Sequence, residues 1–186
     1  MKILAFAASL RKDSFNRKLI SQAANALEAQ GMTVDHADFR DFEMPMYDGD
    51  FEDASGLPPG AREFVRRIQA ADALVISAPE YNGGISGALK NAIDWASRQK
   101  PNPFDEKPVL LLGATLGGLS AVRGLWHTRV PLEAMGAYVY PEMFGLAKAH
   151  EAFASDGNFV DAKNGSRIQS LSADFIRFST ALAPKT

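Results

Sequence analysis

The first polar turn of the sequence, residues 8–16, holds side chains that could bind an anion. Its polar groups are two hydroxyls, a guanidinium and an amide, on Ser9, Ser14, Arg11 and Asn16. The turn follows an apolar run and precedes a segment with helical spacing, so free N–H groups at the start of a helix would face the same loop. Hydroxyl, guanidinium and N–H donors in one turn favour a phosphate group. The alternative is that Ser14 or Asn16 only caps the helix.

A second turn, residues 79–87, could contact a planar ring through its backbone. It is rich in glycine, at Gly83, Gly84 and Gly87. Glycine permits positive φ and close approach of the main chain, so backbone N–H and C=O groups could reach the heteroatoms of a ring. Tyr81 and Asn82 lie in the same turn, which favours a binding role over an ordinary glycine-rich turn.

A third turn, Thr115-Leu116-Gly117-Gly118, could approach the other side of such a ring. By itself this pattern is typical of a simple turn. The first turn lacks the Gly-Lys-Ser/Thr ending of a P-loop and the glycines of a dinucleotide fingerprint, although Asp38 could imitate the ribose-binding acid of the latter. A mononucleotide such as FMN, with a phosphate end and a planar end, fits the three turns together.

Hydrophobic spacing predicts five strands and five helices in alternation. The predicted strands are residues 2–8, 33–38, 73–77, 108–115 and 137–140. The predicted helices are residues 16–30, 62–71, 86–97, 119–134 and 168–182. Residues 40–60 are predicted to form a long loop that can contain a helical turn, and residues 141–165 have a less regular pattern.

This alternation indicates an α/β fold. We expect a flavodoxin-like three-layer sandwich, in which helices cover both faces of a five-stranded parallel sheet of order 2-1-3-4-5. In that order the turns after the first and third strands meet at the topological switch point, and the turn after the fourth strand lies beside them. All three polar turns would therefore form one site. With 186 residues, 46% of them hydrophobic, the whole chain, residues 1–186, is expected to be a single domain.

Composition restricts the class of partner. The net charge of -2 and the pI near 5.9 give no electrostatic reason to expect nucleic acid or an anionic membrane. The lack of cysteine excludes disulfides, thiolate nucleophiles and thiolate metal sites, and it favours the cytoplasm. The histidines are too scattered along the chain to suggest a metal site, and none is expected.

Three segments carry a resemblance to a known family. They are Ser9-x-Arg11-x-x-Ser14-x-Asn16, then Pro79-Glu80-Tyr81-Asn82-Gly83 continuing into Leu89-Lys90-Asn91-x-x-Asp94-Trp95, and Thr115-x-Gly117-Gly118. Over almost its whole length the chain resembles the NADPH-dependent FMN reductases, a flavodoxin-like group that includes bacterial quinone, azo and chromate reductases. It departs from that group at Ala8, where the family commonly has glycine.

The resemblance implies FMN as the cofactor, with NADPH or NADH as the electron donor. The first turn would hold the phosphate through Ser9, Arg11, Ser14 and Asn16, with Phe15 as a further cofactor-binding residue. The isoalloxazine ring would be lined by Pro79, Glu80, Tyr81, Asn82 and Gly83 and bordered by Thr115, Gly117 and Gly118. No side chain is expected to be catalytic, because the flavin carries the chemistry.

The implied activity is hydride transfer from the nicotinamide nucleotide through bound flavin to a small-molecule electron acceptor. Such acceptors are quinones, azo and nitro compounds, metal oxyanions and free flavin. Tyr81 and Arg123 are candidates for contacts with the substrate or with another subunit of a homodimer or homotetramer. The alternative is a non-enzymatic electron carrier like flavodoxin, although such carriers are usually much more acidic than this chain.

Overall fold

The computed structural model describes residues 1–183, which form eight strands and seven α-helices. The strands are β1 (Lys2–Ala7), β2 (Thr33–Ala37), β3 (Ala73–Ser77), β4 (Glu80–Tyr81), β5 (Gly84–Ile85), β6 (Pro108–Ala114), β7 (Tyr138–Val139) and β8 (Phe144–Leu146). The helices are α1 (Phe15–Glu28), α2 (Gly49–Ser55), α3 (Pro59–Gln69), α4 (Gly87–Ala96), α5 (Val122–Ala134), α6 (Ala149–Ala152) and α7 (Ala162–Leu182). A 3-10 turn, Phe39–Phe42, follows β2.

Six of these strands form one parallel sheet of order β2-β1-β3-β6-β7, in which β8 also pairs with β6. The predicted flavodoxin-like α/β fold is confirmed, but the sheet has six strands rather than the five of the predicted order 2-1-3-4-5, and its order is 2-1-3-6-7 when every strand of the described residues is numbered. The antiparallel hairpin β4–β5 comes between β3 and β6 in the chain and lies outside the sheet. In addition, the edge next to β6 is shared by two short strands, β7 at the start of β6 and β8 at its end.

The central strands are buried on both faces, as expected for a parallel sheet between two helical layers. Every residue of β3 and β6 is buried, and so is every residue of β1 except Lys2. Helices α1 and α7 pack on one face, and α3, α4 and α5 pack on the other. Phe6 anchors the second face, because its ring stacks on Phe39 at 5.7 Å and meets Phe64 edge-on at 5.5 Å.

The structure adds elements that hydrophobic spacing does not indicate. Helix α2 forms within the predicted loop because the Asp48 side chain accepts hydrogen bonds from the backbone N–H groups of Asp50 and Phe51. Helix α7 begins six residues before the predicted helix, where Asp161 caps it. Its first turns are mostly polar, so they lack an apolar repeat. Within residues 1–183, no helix is long and apolar enough to cross a membrane.

Candidate cofactor-binding site

The three polar turns meet at the carboxyl ends of β1, β3 and β6, where they line a cleft of about 220 Å³. The lining residues are Ser9, Arg11, Ser14, Phe15, Asn16, Pro79, Glu80, Tyr81, Ala114, Thr115 and Leu116. Nine of the thirteen predicted cofactor-binding residues belong to this set. The other four, Asn82, Gly83, Gly117 and Gly118, lie outside the lining. Ala114 and Leu116 are additions, which carry no polar side chain that could mark them in the sequence.

The first turn presents unused hydrogen-bond donors to the cleft. Ser9 and Ser14 are only 3% and 6% exposed. Their hydroxyl oxygens accept hydrogen bonds from the backbone N–H groups of Arg11, at 3.4 Å, and Asn16, at 3.2 Å. Neither hydroxyl donates a hydrogen bond within residues 1–183, so both protons remain available to a ligand. The exposed Arg11 side chain also makes no ion pair within the described part of the chain. Ser14 therefore caps α1 and can still bind a phosphate.

Asp38, which directly follows β2, stabilises this turn through contacts with two arginines. Both carboxylate oxygens of Asp38 accept hydrogen bonds from the Arg17 guanidinium, at 3.1 and 2.7 Å. The Arg40 backbone N–H donates to the same carboxylate, and the Arg40 guanidinium donates to the carbonyl of Leu10 at 2.6 Å. The hydrogen bond from Arg40 and the guanidinium of Arg17 hold the pKa of Asp38 below its ordinary value. Because Asp38 is committed to these contacts, its use as a ribose-binding acid is disfavoured.

Asn16 links three elements at the base of the cleft. Asn16 is 4% exposed, and its side-chain amide hydrogen-bonds with both the backbone N–H and the carbonyl of Ala114. Its Nδ2 donates to the Ala114 carbonyl at 3.0 Å, and its Oδ1 accepts from the Ala114 N–H at 2.9 Å. The same Oδ1 accepts a hydrogen bond from the Ser77 hydroxyl at 2.9 Å. We call this arrangement the Asn16 clamp; it joins the start of α1 to the ends of β3 and β6.

The clamp lies where β3 and β6 separate. The Ala78 N–H still donates to the Leu112 carbonyl at 2.8 Å, and Pro79 then turns the chain away. If the parallel pair continued, the Ala114 N–H would donate to the Ala78 carbonyl and the Ala114 carbonyl would accept from the Glu80 N–H, but the chain has turned away at Pro79 and Glu80 lies in the hairpin instead. The Asn16 amide fills this gap in the ladder. Its oxygen is therefore occupied, and only one N–H of the side chain remains for the predicted contact with phosphate.

The second turn is a hairpin rather than an irregular glycine-rich loop. Its tip is Asn82-Gly83, and both residues have positive φ, 53° and 78°. A two-residue hairpin with a type I′ turn requires this conformation, and Asn-Gly is its strongest sequence signal. The dipeptide could therefore have revealed the hairpin. Tyr81 lies on the strand before the tip, where its side chain lines the cleft and is 54% exposed.

Glu80 fastens this hairpin to α5. Its side chain is 7% exposed and accepts hydrogen bonds from Arg123 Nε at 3.0 Å and from the Gly124 N–H at 3.0 Å. Helix α5 has no side-chain cap of its own at Ala121, so Glu80 supplies one from outside the helix. Burial would raise the pKa of Glu80, but the hydrogen bond from Gly124 and the Arg123 guanidinium outweigh it and hold that pKa below its ordinary value.

Arg123 lies over the hairpin tip but outside the cleft lining. Its guanidinium carbon is 3.5 Å from the position that a Cβ on Gly83 would occupy. The Arg123 side chain remains 53% exposed despite its ion pair with Glu80. It therefore adjoins the candidate site, and its contact with the substrate or with another subunit stays a prediction.

The third turn is held in place by a close backbone approach. Thr115 and Leu116 line the cleft, and Leu116 is 58% exposed. Ser120 and Ala121 follow in the left-handed region, with φ of 52° and 57°. Gly145 in β8 makes room for them, since a Cβ there would lie 2.2 Å from the Ser120 carbonyl oxygen.

Ala8 fits the first turn without strain. Its N–H donates to the Ser77 carbonyl at 2.9 Å, and its methyl group packs in the core, where Ala8 is 1% exposed. Ala8 is not among the residues with positive φ. The position therefore does not need glycine, and the departure from the family pattern leaves the turn intact.

The donor chemistry of the cleft fits FMN. One end offers two hydroxyl protons and the Arg11 guanidinium, which makes no ion pair within residues 1–183, and these donors suit a phosphate dianion. The other end offers hairpin backbone and an aromatic side chain, which suit a planar ring. Two other cavities are larger, about 460 and 640 Å³, but neither is lined by residues of all three turns. Among residues 1–183, no cluster of His, Asp or Glu side chains is suited to a metal ion.

Replacing Asn16 by alanine is expected to destabilise the protein. The change removes the hydrogen-bond partner of three buried groups, which are the Ala114 N–H, the Ala114 carbonyl and the Ser77 hydroxyl. Each buried group left unpaired lowers the free energy of unfolding by about 1–3 kcal/mol. In urea titrations we expect the free energy of unfolding to fall by about 3 kcal/mol. The control is Asn25→Ala on the exposed side of α1, for which we expect a change below about 0.5 kcal/mol. Equal effects of the two substitutions would contradict the clamp.

Replacing Glu80 by glutamine tests the external cap. Glutamine still accepts from the Gly124 N–H but loses the ion pair with Arg123, so we expect a loss of about 1 kcal/mol at neutral pH. Because the folded pKa of Glu80 lies below the ordinary value of 4.5, its contribution is complete above that pH and is lost as the pH falls through the folded pKa. Urea titrations of both proteins across this range should show the difference shrinking with acid.

The control for Glu80 is Asp94→Asn in the exposed Lys90–Asp94 pair of α4, for which we expect a loss below about 0.5 kcal/mol. A difference between the wild type and Glu80→Gln that stays constant at every pH would show that the charge of Glu80 has no role in the cap.

Comparisons with known proteins agree with this arrangement. The model of the NADPH-dependent FMN reductase family matches residues 1–151. The chain is 37% identical over 171 residues to an NAD(P)H-dependent FMN reductase of Pseudomonas aeruginosa, covering 91% of this chain and 90% of that protein. It is 32% identical over 163 residues to a quinone reductase of Escherichia coli, covering 87% and 86% respectively.

A solved structure gives the same result. The chain superimposes on the flavoenzyme NAD(P)H:(acceptor) oxidoreductase of Paracoccus denitrificans with a TM-score of 0.83, 27% sequence identity and 97% coverage of both chains. The family match includes all three turns that line the cleft. This chain therefore belongs to the NADPH-dependent FMN reductase family.

Proposed function

We propose that this protein is an FMN-dependent NAD(P)H oxidoreductase that reduces small-molecule electron acceptors. The observation that carries the proposal is the single cleft at the switch point of the sheet, with phosphate donors at one end and hairpin backbone at the other. Relatives named as FMN reductase and quinone reductase support it. Quinones, azo and nitro compounds, metal oxyanions and free flavin are the proposed acceptors.

The first turn binds the phosphate of FMN in this proposal. The hydroxyls of Ser9 and Ser14 donate to it, the Arg11 guanidinium neutralises its charge, and the first N–H of α1, that of Phe15, faces it. Asn16 acts mainly as the clamp beneath this site. Pro79, Glu80 and Tyr81 line one side of the ring with Asn82 and Gly83 at the hairpin tip, and Thr115 borders the other side with Gly117 and Gly118 beyond it.

Bound FMN would supply the redox chemistry, taking a hydride from NADPH or NADH and passing the electrons to the acceptor. The chain holds the ring between the second and third turns and leaves one face accessible. Tyr81 borders that face, and Arg123 is placed to meet the phosphates of the nucleotide donor. Donor and acceptor would use the same face in turn, and the proton that the acceptor takes up with the hydride would come from solvent, so no side chain has to form a covalent bond.

We propose further that residues 1–186 act as one FMN-binding domain in the cytoplasm. The lack of cysteine supports that compartment, and the net charge of -2 disfavours nucleic acid or an anionic membrane as a partner. The proposed assembly is a homodimer or a homotetramer.

A visible spectrum followed by anaerobic titration tests this function. Protein purified with added FMN should show flavin absorbance, and NADPH or NADH alone should bleach it stoichiometrically. Addition of a quinone should then restore the colour. Initial rates measured against both substrates should give parallel lines in double-reciprocal plots, because the donor leaves before the acceptor binds.

Two results would contradict the proposal. Protein that stays colourless after incubation with FMN would indicate a binding module without flavin. Bound flavin that neither NADPH nor NADH bleaches without a separate reductase would indicate an electron carrier of the flavodoxin type.

A further inference from the structure

The cavity of about 640 Å³ lies at the end of the sheet opposite the cofactor cleft. Its lining includes the residues that directly precede four neighbouring strands: Met1 before β1, Met32 before β2, Asp72 before β3 and Lys107 before β6. These strands are parallel, so the starts of all four lie at one edge of the sheet. The C-terminal end of α7 forms another wall. Cavities of this size bind small organic molecules.

Ser179 lines this cavity and has a buried hydroxyl without a partner. The residue belongs to α7 and is only 4% exposed. Among residues 1–183, its Oγ is the one buried side-chain nitrogen or oxygen atom that makes no hydrogen bond. Most buried hydroxyls in native proteins are paired, and an unpaired one lowers stability. The fold gives this hydroxyl no role, which indicates that it contacts a ligand.

Two carboxylates in the lining also lack a charged partner. Asp105 and Glu106 are exposed and form no ion pair within the described chain. Glu106 accepts only a long hydrogen bond, 3.5 Å, from the Tyr138 hydroxyl. The third carboxylate, that of Asp72, already accepts a hydrogen bond from the Lys2 N–H at 2.7 Å. Two negative charges of the lining are therefore available to a ligand.

The remaining charges of the lining do not neutralise these carboxylates. Lys107 is its one basic side chain, and its Nζ donates to the Ala71 carbonyl at 2.5 Å. Burial lowers the pKa of Lys107, although the charge of Asp72 opposes this shift. The last turn of α7 carries no basic side chain, and the C-terminus of a helix has a partial negative charge. The cavity therefore favours a cation over an anion.

Apolar side chains complete the walls. Met1, Met32, Pro108 and Leu182 line the cavity, and Leu182 is 41% exposed. Methionine side chains adapt to apolar groups of different shapes. The lining thus combines a hydrocarbon surface with a few polar groups, which is typical of a site for a small molecule.

We propose that this cavity binds an organic amine, as an ammonium ion with a hydrocarbon body. The ammonium group donates a hydrogen bond to the Ser179 hydroxyl, and the carboxylates of Asp105 and Glu106 set the sign of the charge that the cavity accepts. The hydrocarbon body contacts the apolar walls. A strand of seven residues, about 20 Å, separates this site from the cofactor cleft, so it binds its ligand independently of FMN.

Calorimetric titration with three matched probes tests the charge of the ligand. Cyclohexylethylamine, cyclohexylpropanoate and cyclohexylethanol share a saturated ring on two methylene groups, but they carry a positive charge, a negative charge and no charge. A saturated ring cannot stack on a flavin in the way that an aromatic ring does. We expect the amine to bind at least tenfold more tightly than either other probe, both with and without added FMN.

Substitutions test the location of the site. Ser179→Ala should weaken amine binding several-fold without lowering the urea midpoint of unfolding, because the hydroxyl has no partner in the described chain. Asp105→Asn combined with Glu106→Gln should weaken amine binding at least tenfold and leave cyclohexylethanol binding unchanged. The matched control, Asp53→Asn combined with Glu151→Gln, removes two exposed carboxylates outside the lining and should leave both affinities unchanged.

Four results would overturn this inference. They are the absence of amine binding at millimolar concentration, equal affinities for the three probes, equal effects of the two double substitutions, and a Ser179→Ala protein that is less stable but binds the amine unchanged. A chain that ends at Ala183 should bind the amine as the full chain does, and binding that requires residues 184–186 would also contradict the assignment to this lining. None of these results affects the flavin titration.

Discussion

The hydrogen bonds of the Asn16 amide are the constraint on which the candidate site depends. A parallel sheet opens a cleft only where neighbouring strands separate, and separation leaves backbone groups without partners. Beside the switch point, where β3 and β6 separate, the open positions belong to Ala114, and one side chain from α1 satisfies its N–H and its carbonyl together. The start of α1, with Ser14 as its cap, is thereby fixed relative to β3 and β6 before any ligand binds.

The other turns are fixed by comparable devices, so the cleft is preorganised. Glu80 closes the hairpin onto α5 by capping a helix that has no cap of its own. Gly145 admits the left-handed Ser120–Ala121 segment after the third turn. Both residues thus stabilise the scaffold around the cleft, Glu80 through its carboxylate and Gly145 because it has no side chain. The donors on Ser9, Arg11 and Ser14, which have no partner within the described part of the chain, are those that suit a phosphate.

Much of this could be predicted from the sequence, and the rest depended on tertiary contacts. The central strands and their alternation with helices followed from apolar runs, and the convergence of the three turns followed from the topology. Strand β8 is three residues long and contains a glycine, so it has no detectable period. The role of Asn16 was not predictable, because its partner Ala114 is distant in sequence and has no polar side chain. The hairpin at Asn82-Gly83 was predictable from this dipeptide, but the neighbouring glycines led to its interpretation as a glycine-rich turn.

The most direct test of the central claim compares the binding of FMN and riboflavin to the apoprotein, since riboflavin lacks only the phosphate. Fluorescence titration should show FMN binding at least a hundredfold more tightly than riboflavin. The double substitution Arg11→Ala and Ser14→Ala should remove most of that difference while leaving riboflavin affinity nearly unchanged. Equal affinities for FMN and riboflavin in the wild type, or a preference that survives the double substitution, would contradict a phosphate site in the first turn.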